Sequence, residues 1–245
     1  KLHETVLEIN LGALIENLNY FRAKLNNGTK IMAMVKAFSY GSGGFEIANM
    51  LEFHNVDYLG VAYADEGVEL RKAGINTPIM VMSPEEHAFD TMIRHNLEPE
   101  IYSLRALTLL EVAIRESALP QNKPVKIHIK LETGMNRLGI REEEINELMT
   151  RINANELIYV QSIFSHLAAS DREDLDYFSN DQISNFSRMA EQIKSQLDND
   201  VFLHILNSAG ISRFPDAHFN MVRLGIGLYG VASAAKDKNL LRSVT

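Results

Sequence analysis

Short apolar, β-branched runs alternate along this chain with amphipathic segments of helical period. The runs at 30–36, 57–62, 78–82, 98–102, 125–131, 158–164, 201–205 and 220–224 predict eight core strands. Between them, Ile145, Leu148, Met149 and Ile152 repeat at i, i+3, i+4 and i+7, the spacing of one buried helix face. Leu11, Leu14, Ile15, Leu18 and Phe21 do the same, with Asn10 as a candidate cap. Ser103 predicts the cap of a helix over 104–117, and Ser83-Pro84 predicts the opening of another. A further strand is expected over 5–10, surplus to the eight.

Strands alternating with helices throughout 245 residues predict an α/β fold, a (β/α)8 TIM barrel. A doubly wound open sheet would need an early Gly-rich dinucleotide turn. The turn after the first core strand carries Lys36 and Tyr40 instead. The expected organisation is a leading strand within 1–10, a barrel over 11–232, and a linker or domain start over 233–245. Both ends read as cut. There is no initiator Met, and the chain stops just after the basic, strand-like Leu240-Leu241-Arg242-Ser243-Val244.

Charge and composition narrow the chemistry. A formal net charge of −8 argues against nucleic acid as a partner, so any anion must be held by a local arrangement of groups. The absence of cysteine excludes disulfides and thiolate metal sites and is compatible with a reducing cytoplasm. No apolar stretch is long enough for a membrane span, and no metal site is expected.

In a (β/α)8 barrel the working residues sit at the C-terminal ends of the strands. Lys36 ends the first core strand and is followed by a small, Gly-rich turn. That setting can hold an amine in a dry pocket where it condenses with an aldehyde, or can let the lysine reach solvent. His166 ends the sixth strand, Asn207 and Ser208 follow the seventh, and Arg223 lies in the eighth before Gly225, Ile226 and Gly227. Each has a plainer reading: a structural histidine, a helix cap, a buried ion-pair partner. Together on one rim they point to chemistry. The last two βα loops of such barrels often bind phosphate, and Asn207-Ser208-Ala209-Gly210 and Gly225-Ile226-Gly227 supply suitable parts. A lysine opposite a phosphate cradle suggests pyridoxal 5′-phosphate, which carries an aldehyde and a phosphate.

The chain resembles the fold-type III, pyridoxal-phosphate alanine racemases over essentially its whole length. The segments that carry the resemblance are 34–41 (MVKAFSYG), 133–140 (TGMNRLGI), 204–210 (HILNSAG) and 222–230 (VRLGIGLYG). The resemblance implies that Lys36 forms the Schiff base with the cofactor and acts as the base on one face of the substrate Cα. Tyr40, Ser208, Gly225 and Ile226 would hold the phosphate, with Asn207 near the phosphate and ring. Arg223 would face the pyridine nitrogen, supported by His166. Arg137 would contact the cofactor phenolic oxygen and the substrate carboxylate. Lys130 matches a position that is carbamylated in some members, where the carbamate orients the arginine. The resemblance further implies a small amino-acid substrate, D-alanine for peptidoglycan, a cytoplasmic location and a homodimer of the full-length protein. The second base would be a tyrosine from a C-terminal β-domain that this chain lacks.

The chain departs from the family pattern at Phe38-Ser39, Ser42 and Asn136, where Asn-Ala, His and Gly are usual. Two other readings share the fold. Single-barrel pyridoxal-phosphate homeostasis proteins lack the Arg137 and Val222-to-Gly230 segments as written here. Basic amino-acid decarboxylases place an acidic residue where Arg223 stands. In a non-catalytic scaffold, Lys36 would merely pack its stem.

Overall fold

The computed structural model describes residues 5–117 and 123–245. All eight expected strands form: β1 (Lys30–Met34), β2 (Tyr58–Val61), β3 (Ile79–Val81), β4 (Glu98–Ile101), β5 (Val125–Lys130), β6 (Ile158–Phe164), β7 (Phe202–His204) and β8 (Met221–Leu224). They pair in parallel in the order β7-β6-β5-β4-β3-β2-β1-β8. The remaining seam, between β7 and β8, is closed by single bonds. Asn220 Oδ1 accepts from the Leu203 N–H at 2.9 Å, and the Arg223 N–H donates to Leu206 O at 3.0 Å. The result is the (β/α)8 barrel that the alternation predicts.

Helices α1 (Leu11–Arg22), α2 (Phe45–Phe53), α3 (Ala64–Lys72), α4 (Phe89–Arg94), α5 (Leu104–Glu116), α6 (Ile145–Asn153), α7 (Asp176–Lys194) and α8 (Ser208–Arg213) surround the strands. Their caps follow the sequence. Asn10 Oδ1 accepts from the Ala13 N–H at 2.9 Å, and Ser103 Oγ from the Ala106 N–H at 3.1 Å. The periodic residues Ile145, Leu148, Met149 and Ile152 are all buried. Ser83-Pro84 opens no helix: the Ser83 N–H still pairs with Ala62 O, which holds the backbone in line with β3, and α4 begins only at Phe89. Among the described residues, no helix is long and apolar enough to cross a membrane.

Two cores result. The larger lies between strands and helices. The smaller fills the barrel interior with Met32, Met34, Tyr58, Met80 and Met221 from β1, β2, β3 and β8, joined by Phe164 from β6. The opposite half of the interior is polar. Glu98 and Glu100 point inward from β4, and His128 and Lys130 from β5. Ser162, His204 and Arg223 complete it from β6, β7 and β8, all buried.

The ends of the chain differ from expectation. Residues 5–10 form no strand. Residues 233–245, expected as a linker or the start of a further domain, are fastened to the barrel. Asp237 is 1% exposed and accepts from Tyr20 Oη (2.7 Å), Lys24 Nζ (2.9 Å) and Ser212 Oγ (2.7 Å). Asn17 bonds both the N–H and the C=O of Arg242, and the Asn10 N–H donates to Val244 O at 2.8 Å. Removing a buried carboxylate that serves three donors leaves those donors unmet. Asp237→Ala is expected to cost about 2–4 kcal/mol, read as a lower urea midpoint at an unchanged m-value.

Candidate active site

A cavity of about 540 Å³ opens at the C-terminal mouth of the barrel. Every site residue expected from the sequence lines it: Lys36, Tyr40, Lys130, Arg137, His166, Asn207, Ser208, Arg223, Gly225 and Ile226.

Lys36 and Tyr40 are placed by an unusual piece of backbone. After β1 the Val35 N–H pairs with Gly60 O, and the chain then turns left-handed. Ala37, Phe38, Ser39 and Tyr40 have φ of 51°, 52°, 52° and 56°, before Gly41 at 85°. A left-handed turn of L-residues costs roughly 1–2 kcal/mol per residue. It is bracketed by Glu66, whose Oε1 accepts from the Ala37 N–H at 2.7 Å while Oε2 accepts from the Ala62 N–H at 2.6 Å. The Tyr40 ring packs on Tyr229 at 4.9 Å, and Tyr229 Oη donates to Met34 O. One helical turn separates positions 36 and 40, so lysine amine and tyrosine hydroxyl share the cavity. The sequence suggested a Gly-rich turn; the turn is in fact made of non-glycine residues.

The opposite wall is built from donors. Ser208, in the first turn of α8, accepts from the Gly225 N–H at 3.0 Å and the Gly227 N–H at 3.1 Å. Both acceptor sites of its oxygen are thereby used, which leaves its O–H to donate elsewhere. No described residue accepts from the Ile226 N–H. A Cβ at Gly225 would stand 3.0 Å from Tyr40 Oη, so glycine keeps the hydroxyl and the loop together. Asn207 caps α8: its Oδ1 accepts from the Gly210 N–H at 3.0 Å and from Ser170 Oγ at 2.7 Å. Ser208 O–H, Tyr40 O–H and the Ile226 N–H form a donor set suited to an anion such as phosphate.

The floor is cationic and dry. Arg223 is 3% exposed. Its Nη1 donates to His204 Nδ1 at 2.6 Å, and its Nη2 to Ser165 O at 2.5 Å, Ile205 O at 3.1 Å and His166 Nδ1 at 3.2 Å. The Nε–H is the guanidinium donor with no acceptor among the described residues. Burial draws Arg223 down to about 10, so it stays charged at neutral pH. Burial and the neighbouring Arg223, Arg137 and Lys130 pull His166 down to about 3, which keeps it a neutral acceptor. Phe164 lies beneath: Arg223 Cζ and Lys130 Nζ stand 5.2 Å and 5.6 Å from its ring centre.

Arg137 sits on a loop clamped at its base, where the Ile140 N–H donates to Lys130 O at 2.8 Å and the Glu132 N–H to Ile140 O at 3.0 Å. Asn136, at a usual glycine position, has φ 54°, a conformation that asparagine tolerates. Sequence reading missed Glu100. It is fully buried, its Oε1 lies 3.1 Å from Lys130 Nζ, and its Oε2 makes no hydrogen bond. The available signal was period two: Glu98 and Glu100 alternate inward along one strand, as Lys126, His128 and Lys130 do along the next.

A parallel barrel with a lysine, a set of hydrogen-bond donors and a buried arginine around a cavity at its mouth defines the class, a (β/α)8-barrel domain with a ligand-sized site at its strand ends. Within that class the chain belongs to the alanine racemase family: the family model described as "Alanine racemase, N-terminal domain" matches residues 9–233. It is 36% identical to alanine racemase 1 of Oceanobacillus iheyensis over 96% of this chain and 62% of that protein. It is 37% identical to the alanine racemase of Halalkalibacterium halodurans over 93% of this chain and 58% of that one. The solved alanine racemase of Clostridium difficile 630 superposes with a TM-score of 0.88 at 31% identity, covering 98% of this chain and 64% of that one. The chain thus spans about three fifths of the length of the relatives it matches.

The buried Glu100 makes a pH prediction. Burial outweighs the attraction of Lys130 and raises its carboxyl from the ordinary 4.5 to about 7. The folded chain therefore keeps a proton that the unfolded chain loses, and this contribution to stability disappears as pH rises from 4.5 through about 7. Glu100→Gln is expected to flatten that decline. Parallel slopes for both proteins in urea titrations across the window would refute the assignment.

Proposed function

We propose that the chain is the cofactor-holding barrel of an alanine racemase and supplies one of its two bases. The observation that carries this is the cavity that gathers Lys36, the donors around Ser208 and the unspent Nε–H of Arg223. These residues fit pyridoxal 5′-phosphate. An amine is available for its aldehyde, a donor set for its phosphate, and a cation that cannot give up a proton for its ring nitrogen. When bound, that group supplies an electron-withdrawing system that acidifies the Cα–H of an attached amino acid.

The chain's own residues do the rest. Tyr40, Ser208 and the Gly225–Ile226 backbone bind the phosphate, with Asn207 near it and the ring. Lys36 moves a proton at one face of the substrate Cα. Arg137 binds the substrate carboxylate and steers it towards Lys36. Arg223 donates without titrating, held in place by His166 and His204. A guanidinium there cannot give up a proton, so it would leave the ring nitrogen of a bound cofactor unprotonated and would favour simple proton exchange. Racemisation needs a base on each face, and we assign the second to a tyrosine in the portion of the relatives outside the match, within a homodimer. D-alanine made in the cytoplasm for peptidoglycan is the role this reading implies.

We read Lys130 as an amine paired with Glu100, because its Nζ donates to Glu100 Oε1 at 3.1 Å. A carbamate resonance after incubation with 13C-bicarbonate would count against this assignment.

The purified chain incubated with pyridoxal 5′-phosphate is expected to turn yellow, with a visible band that borohydride discharges and Lys36→Ala abolishes. A colourless wild-type chain would overturn the proposal. The 245-residue chain is expected to hold that colour yet convert L-alanine to D-alanine at least about a hundredfold more slowly than a whole racemase, having one general base in place of two. Turnover at an ordinary racemase rate would refute the assignment of the second base.

A further inference from the structure

Four hydrogen bonds run in series through the barrel interior, from Arg223 at the cavity floor to Glu98. Arg223 Nη1 lies 2.6 Å from His204 Nδ1, and His204 Nε2 lies 2.9 Å from Ser162 Oγ. Ser162 Oγ lies 2.6 Å from His128 Nδ1, and His128 Nε2 lies 2.9 Å from Glu98 Oε2. His204, Ser162 and His128 are each 0% exposed. At the far end Tyr58 Oη also donates to Glu98 Oε2, and Lys126 Nζ stands 3.9 Å from Oε1.

The series has one consistent direction, set from both ends. A guanidinium only donates, so His204 Nδ1 accepts and the ring proton sits on Nε2. A carboxylate only accepts, so His128 also carries its proton on Nε2 and offers Nδ1. Ser162 then accepts from His204 and donates to His128. Each imidazole thus offers Nδ1 as an acceptor; burial and the Arg223 charge hold His204 well below the ordinary histidine range. With the other tautomer, His128 would turn a second donor on Ser162 and strand the serine hydrogen inside the barrel. The line conducts no proton, because Arg223 does not release one at neutral pH. Its effect is mechanical. Phe164 stacks on the His204 ring at 5.0 Å and 6°, so that imidazole is fixed in its plane and at both nitrogens.

We propose that Glu98, His128 and Ser162 are positioning residues, acting on the active site through His204 from the other end of the barrel. They lock the imidazole that receives Arg223 Nη1 and so hold the guanidinium with Nε–H free for a ligand in the cavity. The functional half of this inference rests on reading Arg223 as the residue that faces the cofactor ring.

The relay is tested first without cofactor. Side-chain 15N–1H correlation spectra of the chain are expected to show the ring proton on Nε2 and a bare Nδ1 at both His128 and His204. A charged ring or an Nδ1–H tautomer at either position overturns the relay, whatever the cofactor experiments give. Its function is tested with pyridoxal 5′-phosphate. Glu98→Gln keeps an acceptor for His128 and is expected to retain the cofactor as the unchanged chain does. Glu98→Leu and Ser162→Ala each remove a link and are expected to weaken retention by about tenfold. Each variant is compared as folded protein. If Ser162→Ala fails to fold, the contrast of Gln with Leu at Glu98 decides. Equal retention by those two would overturn the positioning role. Failure of the unchanged chain to bind pyridoxal 5′-phosphate would instead sink the functional reading and leave the tautomer result standing.

Discussion

A guanidinium shut away from water must find acceptors for its donors or leave one for a ligand, and Arg223 imposes that demand on the barrel. The desolvation of such an ion amounts to several kcal/mol in a protein interior. Carbonyls at the ends of two strands meet it: Ser165 O after β6, and Ile205 O after β7. Two imidazole nitrogens meet the rest, His204 Nδ1 and His166 Nδ1. Neither histidine can take a proton there without facing Arg223 as a second cation. One inward carboxyl, Glu100, lies 3.1 Å from Lys130 Nζ and within the field of Arg223, while Glu98 faces His128 at the other end. The polar half of the barrel is thus a consequence of placing one arginine at the floor, and the methionine-rich half supplies the apolar packing that the polar half gives up.

The left-handed turn is the second constraint, and it is local. Its strain persists only because the surroundings over-determine it. Glu66 fixes the backbone at Ala37 and at Ala62, which ties the turn after β1 to the turn after β2. Tyr229 holds the Tyr40 ring and reaches back to Met34. The conformation sets the amine and the hydroxyl one turn apart. A right-handed turn would carry both side chains along a helix of the opposite hand, away from the Ser208 wall.

The sequence makes the barrel legible because its strands are apolar runs of the right length and its helices keep a 3.6 period. Even β4, with Glu98 and Glu100, reads as a strand, but period and composition do not say which face of a parallel strand is interior. The relay therefore stayed hidden: its members are spread over β4, β5, β6 and β7, and only barrel closure brings them into line. The left-handed turn was invisible for another reason. Phe38, Ser39 and Tyr40 carry no preference for positive φ, so nothing local announces it. Asn136 was the reverse case, since a residue that tolerates positive φ stands where glycine is usual. The fastening of the 233–245 segment was not legible because its anchor, Asp237, is held by residues some two hundred positions away, Tyr20 and Lys24.

The placement of the site at the β7–β8 seam follows from the same physics. Everywhere else around the barrel, strand carbonyls pair with the next strand. Between β7 and β8 there is no continuous ladder, and the seam is held by an asparagine side chain and scattered backbone bonds. The Ile205 carbonyl, just past the end of β7, is therefore free of backbone pairing and accepts from Arg223 Nη2 at 3.1 Å. His204 O pairs with the Ser165 N–H on the β6 side and also lies 3.3 Å from Arg223 Nη1. A complete β7–β8 ladder would have consumed the Ile205 acceptor. The gap in the sheet is what lets a charged group sit dry at the base of the cavity, beside the loops that carry Ser208 and Gly225.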